Sequence, residues 1–366
     1  MYKKILRYIS NPTNNSKFII LFINLILLIL EYFLKLFFLV FSIFKKNNKK
    51  LYCIYDLSVN PLTFDFIWFL FSSESERINK KKNSIELILI TGEKYSSVFE
   101  TISYHQIFNR NYKKKKFKNI IVSSARLLPS IKKISIFNSN IFARLYAASL
   151  GSKFYPSNSS CLMPSSFTPS KDAIKYSKKN KNFNILRPSK VAKNFILSWL
   201  KNISPKKKFI SITLRQSDYT KERNSNLSTW SNFSKYLEEQ NFIIILLPDF
   251  NQLTNISLLK KYFPKAHVCK KAVLNVDYRL SLYKSCDFNL GVSNGPMSLC
   301  YFSNSKFIQF KSLNEKIETS NKKMMLKLGF DIKKNPPFFD SQQRFVWNSN
   351  ESSEYMIKIF KNIYKV

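Results

Sequence analysis

FISITLRQSDYTKERNSNLSTWSNFSKYLEEQNFIIILLPD, residues 209–249, decides the fold. Its two ends, FISITL (209–214) and FIIILL (242–247), are short apolar runs rich in β-branched residues, apolar on both faces. Strands of that kind belong to parallel sheets covered on two sides. Between them, 229–240 reads as a helix, so the segment is a strand–helix–strand crossover.

The same alternation continues outward in both directions. Downstream come a helix over 255–263, a strand near 266–269, a helix over 277–285, the strand FNLGV (288–292), a helix over 296–302, the strand KFIQF (306–310) and a last helix from near Asn350. Upstream lies a helix over 190–202, preceded by a Ser/Pro-rich break at 155–172. Before the break, LYCIYDL (51–57), IELILI (85–90) and NIIVSS (119–124) read as strands, and 138–148 reads as a helix. Asn60-Pro61 has the pattern of an N-cap with Pro at the first helical position, opening a helix through about Ser73. The expected organisation is two doubly wound α/β domains, 48–186 and 187–366, after an amino-terminal segment 1–47. Ligands of such sheets bind at the carboxyl ends of the strands, in a cleft expected between the two domains.

Composition narrows the function classes. With 366 residues, 45% apolar and only five glycines, the chain is folded rather than a linker or a disordered polar tract. The net charge of +38 attracts anions but does not choose among lipid headgroups, nucleotides and nucleic acid. The basic runs Lys80–Lys82, Lys113–Lys116 and Lys206–Lys208 lack interleaved aromatic residues, so nucleic acid is not an expected partner. Only ten of the 60 basic residues are arginine, which gives each arginine more weight than each lysine. Five scattered cysteines without a CxxC argue against a disulfide framework or a zinc knuckle and fit a reducing compartment.

Residues 18–44, FIILFINLILLILEYFLKLFFLVFSIF, form an apolar run that as one helix exceeds the thickness of a bilayer core. Its polar residues Asn24, Glu31, Lys35 and Ser42 fall on one narrow stripe. This segment is expected to anchor the chain to the cell membrane, either spanning it or lying in the interface with the stripe outward. Basic residues flank both ends, so orientation has no clean vote from charge; cysteine usage puts the folded domains on the cytoplasmic face.

Three post-strand loops carry chemistry. LRQSDYTKERNSN (214–226) holds Arg215 and Arg223, whose planar donor forks suit phosphate oxygens, with Asn224 beside them. GVSNGPMSL (291–299) ends a strand and opens a helix, placing Ser293, Asn294, Gly295 and Pro296 at its start. With Gly295 as N-cap, the amides of Met297 and Ser298 would be available to an anion. YDLSVNPLTFDF (55–66) places Asp56 at a strand's carboxyl end, as a candidate base, and Asp65 in the first turns of the next helix, on the acceptor side. Asp249, ending FIIILLPD, is a further candidate for ligand contact or for a plain turn role. His105 and His267 neighbour no nucleophile signature, and no HExxH, DxD, Walker loop or GxGxxG occurs.

Taken together, the SNGPMSL turn (293–299) and the loop opening at Arg215 resemble those of GT-B glycosyltransferases of the heptosyltransferase and fucosyltransferase type. The resemblance implies two Rossmann-like domains and transfer of a sugar from a nucleotide-sugar donor to a glycan or glycolipid acceptor. It also implies no metal and no other cofactor. The donor would then be bound by Arg215, Arg223, Asn224, Asp249, Ser293, Asn294, Gly295, Pro296, Met297 and Ser298, its phosphates on Arg215, Arg223, Ser293, Asn294, Gly295 and the helix opening at Pro296, with Asp56 as base and Arg215 stabilising the departing diphosphate. Heptosyltransferase-like enzymes carry a His soon after the glycine turn; here Ser298 stands in that place, so the donor sugar does not carry over. A non-catalytic, basic, membrane-tethered protein that binds anionic polymers is the alternative from another class.

Overall fold

The computed structural model describes residues 49–92, 108–139, 154–156, 169–177, 183–348 and 350–364, with position 95 and single positions between 22 and 33 and between 142 and 149. The chain divides into two compact units, one of residues 1–121 with 129–167 and one of 122–128 with 168–366.

The first unit carries four parallel strands in the order β3-β2-β1-β4: β1 (Lys50–Asp56), β2 (Ser84–Ile90), β3 (Ile131–Phe137) and β4 (Phe154–Tyr155). Helix Phe66–Asn79 follows β1 and buries Phe66, Phe69 and Leu70, with Phe66 and Phe69 packed on Tyr55. Asn60-Pro61 does not open that helix. The Asn60 amide and side chain instead bond the Asp56 carbonyl oxygen, which extends the turn, and the helix begins at Phe66 with Asp65 at its N-cap position.

The expected strand at 119–124 is also corrected. Asn109 caps the Tyr112 amide and starts a continuous helical stretch, Arg110–Lys116, Phe117–Val122 and Ser123–Ala125. Phe117, Ile121 and Ala125 are buried four residues apart, a helical spacing that the β-branched cluster Ile120-Ile121-Val122 conceals. The third strand is IKKISIF at 131–137, an edge strand whose exposed positions include Lys132 and Lys133.

The second unit holds six parallel strands in the order β10-β9-β8-β5-β6-β7: β5 (Lys208–Thr213), β6 (Phe242–Leu247), β7 (His267–Val268), β8 (Phe288–Val292), β9 (Phe307–Phe310) and β10 (Gln343–Phe345). The chain starts at the centre with β5, walks outward through β6 and β7, then returns to the other side of β5 as β8 and walks out through β9 and β10. That reversal is the doubly wound topology, with its switch point between β5 and β8. Helices Lys190–Ile203, Leu227–Glu239 and Val276–Ser285 are capped by Ser189, Asn226 and Asn275, whose side chains accept from Ala192, Thr229 and Asp277 amides. Trp230, Phe233, Phe288, Phe310 and Phe360 close the core; the last helix, Ser353–Tyr364, contributes Met356 and Phe360 to it. Each such fully buried side chain contributes about 1.5–3 kcal/mol over exposure.

The anchor expected at 1–47 lies almost wholly outside the described residues. Among the described residues no helix is long and apolar enough to cross a membrane. Phe22, Leu25, Ile26, Ile29, Leu30, Tyr32 and Phe33 are described there as helical and are 48% to 64% exposed. Cys53, Cys269, Cys286 and Cys300 are buried free thiols, and burial pushes Cys53 up to about 12.

Candidate functional site

Register sets the site. Thr213 of β5 pairs with Gly291 of β8 on one side and Leu247 of β6 on the other, so the three following loops leave the sheet at the same level. Gly291 lets β8, β5 and the turn after β8 approach closely. A Cβ on it would stand 3.0 Å from the Thr213 carbonyl oxygen and 3.1 Å from the Met297 sulfur, so β8 and the turn beyond it could not keep this spacing.

The loop after β5 is closed on itself by side chains. The Arg215 amide donates to Ser225 Oγ at 3.0 Å, and the Ser225 amide returns to the Arg215 carbonyl oxygen at 2.9 Å. Asn224 Oδ1 accepts from the Ser217 amide, while its Nδ2 donates to the Ser217 carbonyl oxygen. Thr220, with φ of 55°, turns the chain through the left-handed region. Within this loop the Arg215 guanidinium is 8% exposed as a residue and donates to Asn224 Oδ1 at 2.5 Å and the Tyr219 carbonyl oxygen at 2.6 Å, both neutral oxygens.

Arg223 reaches across the switch point. Its Nη2 donates to the Ser293 carbonyl oxygen at 3.1 Å, joining the loop after β5 to the turn after β8. Burial pushes the Arg215 guanidinium below its ordinary pKa, and the positive charge of Arg223 pushes the same way against Asp249, Glu222 and Tyr219. Two guanidiniums brought within mutual repulsion at the carboxyl edge of a parallel sheet form a site that a dianionic group would relieve.

The turn after β8 differs from the expectation. Asn294, not Gly295, is the N-cap of a short 3-10 turn, Gly295–Met297, and its Oδ1 accepts the Met297 amide at 3.2 Å. The Ser298 amide bonds the carbonyl oxygens of Gly295 and Pro296, and Ser298 Oγ donates to the Gly295 carbonyl oxygen. The two amides expected to face an anion are therefore engaged within the turn, and Met297 and Ser298 are buried. What the turn offers the site is the Ser293–Asn294–Gly295–Pro296 edge, with Arg223 against it.

Asp249 takes a turn role: its Oδ2 accepts the Gln216 amide at 2.6 Å and fastens the base of the Arg215 loop to the end of β6. In the first unit, Asp56 ends β1, the central strand beside β4, and is 4% exposed. Its Oδ1 accepts the Ser58 amide at 2.8 Å. Asp65 lies outside any buried site; its Oδ2 accepts the Thr63 hydroxyl, and both are solvent-facing. Among the described residues no group of three or more His, Cys, Asp and Glu could hold a metal ion.

The sequence matches no family model and no curated protein. Solved structures do match. The E. coli ADP-heptose LPS heptosyltransferase II superposes with a TM-score of 0.51 at 8% identity, over 86% of this chain and 98% of that one. The chain has a GT-B-like fold of Rossmann-like units. A glycosyl transferase family 9 structure from Veillonella parvula matches over 87% of this chain and 90% of that one, with a TM-score of 0.49 and 10% identity. The NodZ alpha-1,6-fucosyltransferase soaked with GDP-fucose matches over 72% of this chain and 95% of that one, with a TM-score of 0.34 and 8% identity.

Proposed function

We propose that this protein is a glycosyltransferase that moves a sugar from a nucleotide-sugar donor to a lipid-linked or surface-glycan acceptor. The observation that carries the reading is the Arg223–Ser293 bond, which joins the two loops of the switch point beside the part-buried Arg215 guanidinium. A diphosphate fits the charge and the fork geometry of that pair.

In the transfer step the acceptor hydroxyl attacks the anomeric carbon while the bond to the diphosphate breaks, and negative charge grows on the leaving phosphate oxygens. Fixed guanidiniums lower the energy of that charge without reorganising at the moment of reaction. On this reading Arg215 and Arg223 do the work of charge neutralisation, and the reaction needs no metal. Asp56, at the end of the first strand of the first unit, is the residue we assign to take the acceptor's proton. The apolar run at 18–44 is assigned to membrane attachment at the cytoplasmic face; the exposed apolar positions among 22–33 support a lipid-facing role.

The test is release of nucleoside diphosphate from a panel of UDP-, GDP- and ADP-sugars by the full-length chain in detergent with membrane lipid extract. Turnover with one of them supports the assignment. No turnover with any, together with salt-sensitive binding spread over every anionic polymer offered, would instead favour the basic, non-catalytic tether.

A further inference from the structure

Lys311 and Glu351 stand apart from the residues assigned above, yet both reach the arginine loop. Lys311 follows the last residue of β9 with φ of 55°, a left-handed backbone conformation unusual for a lysine. Its Nζ donates to the Asn224 carbonyl oxygen at 3.0 Å and to Glu351 Oε2 at 3.0 Å, with the side chains of Lys311 and Glu351 14% and 9% exposed. The other oxygen of the same carboxylate, Oε1, accepts from the Asn226 amide at 3.0 Å and from Trp230 Nε1 at 2.7 Å. Asn224 in turn holds the Arg215 guanidinium through Oδ1.

One carboxylate therefore grips the exit of the arginine loop at Asn226, the helix that follows it at Trp230 and the cation at the end of β9, two strands from β5 in the sheet. We propose that Lys311 and Glu351 are positioning residues for the anion site: they fix Asn224, and through it the direction of the Arg215 fork. A surface ion pair between long flexible side chains does little. This pair is largely withdrawn from water and each member has further hydrogen bonds, the condition under which such a pair specifies geometry. The sequence separation of 40 residues between Lys311 and Glu351, and of 87 between Lys311 and Asn224, makes the arrangement a product of the fold, with no local turn requiring it.

The inference about the diphosphate rests on the reading given under Proposed function; the hold on the loop does not. The test has two arms on the full-length protein. Hydrogen exchange without nucleotide compares residues 214–226 in wild type, Lys311→Met, Glu351→Gln, the double variant Lys311→Met/Glu351→Gln and Lys311→Arg. The double variant guards against the buried charge that either single change would strand. Titration with UDP, GDP, ADP and CDP, and with the matching nucleosides, then measures affinity in the same proteins. We expect exchange in 214–226 to rise at least tenfold in Lys311→Met and the double variant, with β5 and β6 unchanged. We also expect diphosphate affinity to fall about tenfold while nucleoside affinity holds, and Lys311→Arg to recover most of both. Unchanged loop exchange in the double variant overturns the proposal whatever the nucleotide result. Faster exchange with undiminished diphosphate affinity overturns it too. Faster loop exchange in a protein that binds no nucleotide at all upholds the hold on the loop and removes the glycosyltransferase reading instead.

Discussion

Arg223 and Ser293, 70 residues apart, meet through a guanidinium-to-carbonyl bond of 3.1 Å. The bond spans the gap between the loops that leave β5 and β8, where the direction of winding in the sheet reverses. Backbone carbonyls are weak reasons to place an arginine, since a lysine could serve as donor in a chain this rich in lysine. Beyond that bond a guanidinium supplies a fixed charge and a planar donor fork, and these underlie the first expectation.

Arg223→Gln retains a neutral donor on a side chain two bonds shorter and removes the charge and the fork. Affinity for a nucleoside diphosphate is expected to fall about tenfold, roughly 1.4 kcal/mol, with the melting temperature unchanged. Calorimetric titration checks this, and equal affinity in variant and wild type would remove Arg223 from the site.

Asn224→Asp places a carboxylate where Oδ1 now accepts from Arg215 at 2.5 Å. An internal anion there competes with phosphate for the guanidinium, so diphosphate binding is expected to weaken tenfold or more, while loss of the Nδ2 bond to the Ser217 carbonyl oxygen offsets the stability the new ion pair adds. Binding that survives in Asn224→Asp would show that Arg215 meets no anion.

Gly291→Ala forces a Cβ to 3.0 Å from the Thr213 carbonyl oxygen, which is backbone and has little room to yield. A cost of about 1–3 kcal/mol is expected, about 2–4 °C of melting temperature per kcal/mol for a unit of this size. A thermal melt indistinguishable from wild type would mean that the β5–β8 spacing relaxes freely.

Glu86 gives a pH signature in the first unit. Burial raises its carboxyl, but the bond and charge of Lys133 at 2.8 Å, with Tyr146 and Ser135, outweigh burial and leave it below its ordinary value of 4.5. A carboxyl lowered on folding adds stability above its unfolded pKa and loses that stability as pH falls through the folded one. Glu86→Gln should therefore be less stable than wild type at pH 7, and the difference should shrink below about pH 4. Urea midpoints measured at pH 7 and pH 3 test it; a constant difference would contradict the assignment.

Much of the second unit was legible because its strands announce themselves. FISITL, FIIILL and FNLGV are apolar on both faces, and β5, β6 and β8 fall within a residue or two of the runs read as strands. The first unit misled where local preference and periodicity disagree. Ile120, Ile121 and Val122 favour a strand, but the tertiary fold chose the helical spacing of Phe117, Ile121 and Ala125 and made the more polar IKKISIF the edge strand. At the site, Arg215 and Arg223 were visible through their scarcity. The capping of the Met297 amide by Asn294 was not, because Asn and Gly both suit an N-cap and only the backbone geometry chooses between them. Lys311 and Glu351 carried no signal at all, since one lysine among dozens becomes distinct only when the fold sets it against Asn224.

We propose that Arg215 and Arg223, at the edge formed by Ser293 to Pro296, hold the diphosphate of a sugar nucleotide. This is tested most directly by titrating wild type, Arg215→Lys and Arg215→Ala with UDP, GDP, ADP and CDP, and with the corresponding monophosphates. Wild type is expected to bind at least one diphosphate more tightly than its monophosphate. Arg215→Lys should lose most of that preference, and Arg215→Ala should lose binding about a hundredfold while remaining folded. Wild-type protein that binds none of them, or Arg215→Ala that binds a diphosphate as tightly as wild type, would contradict it.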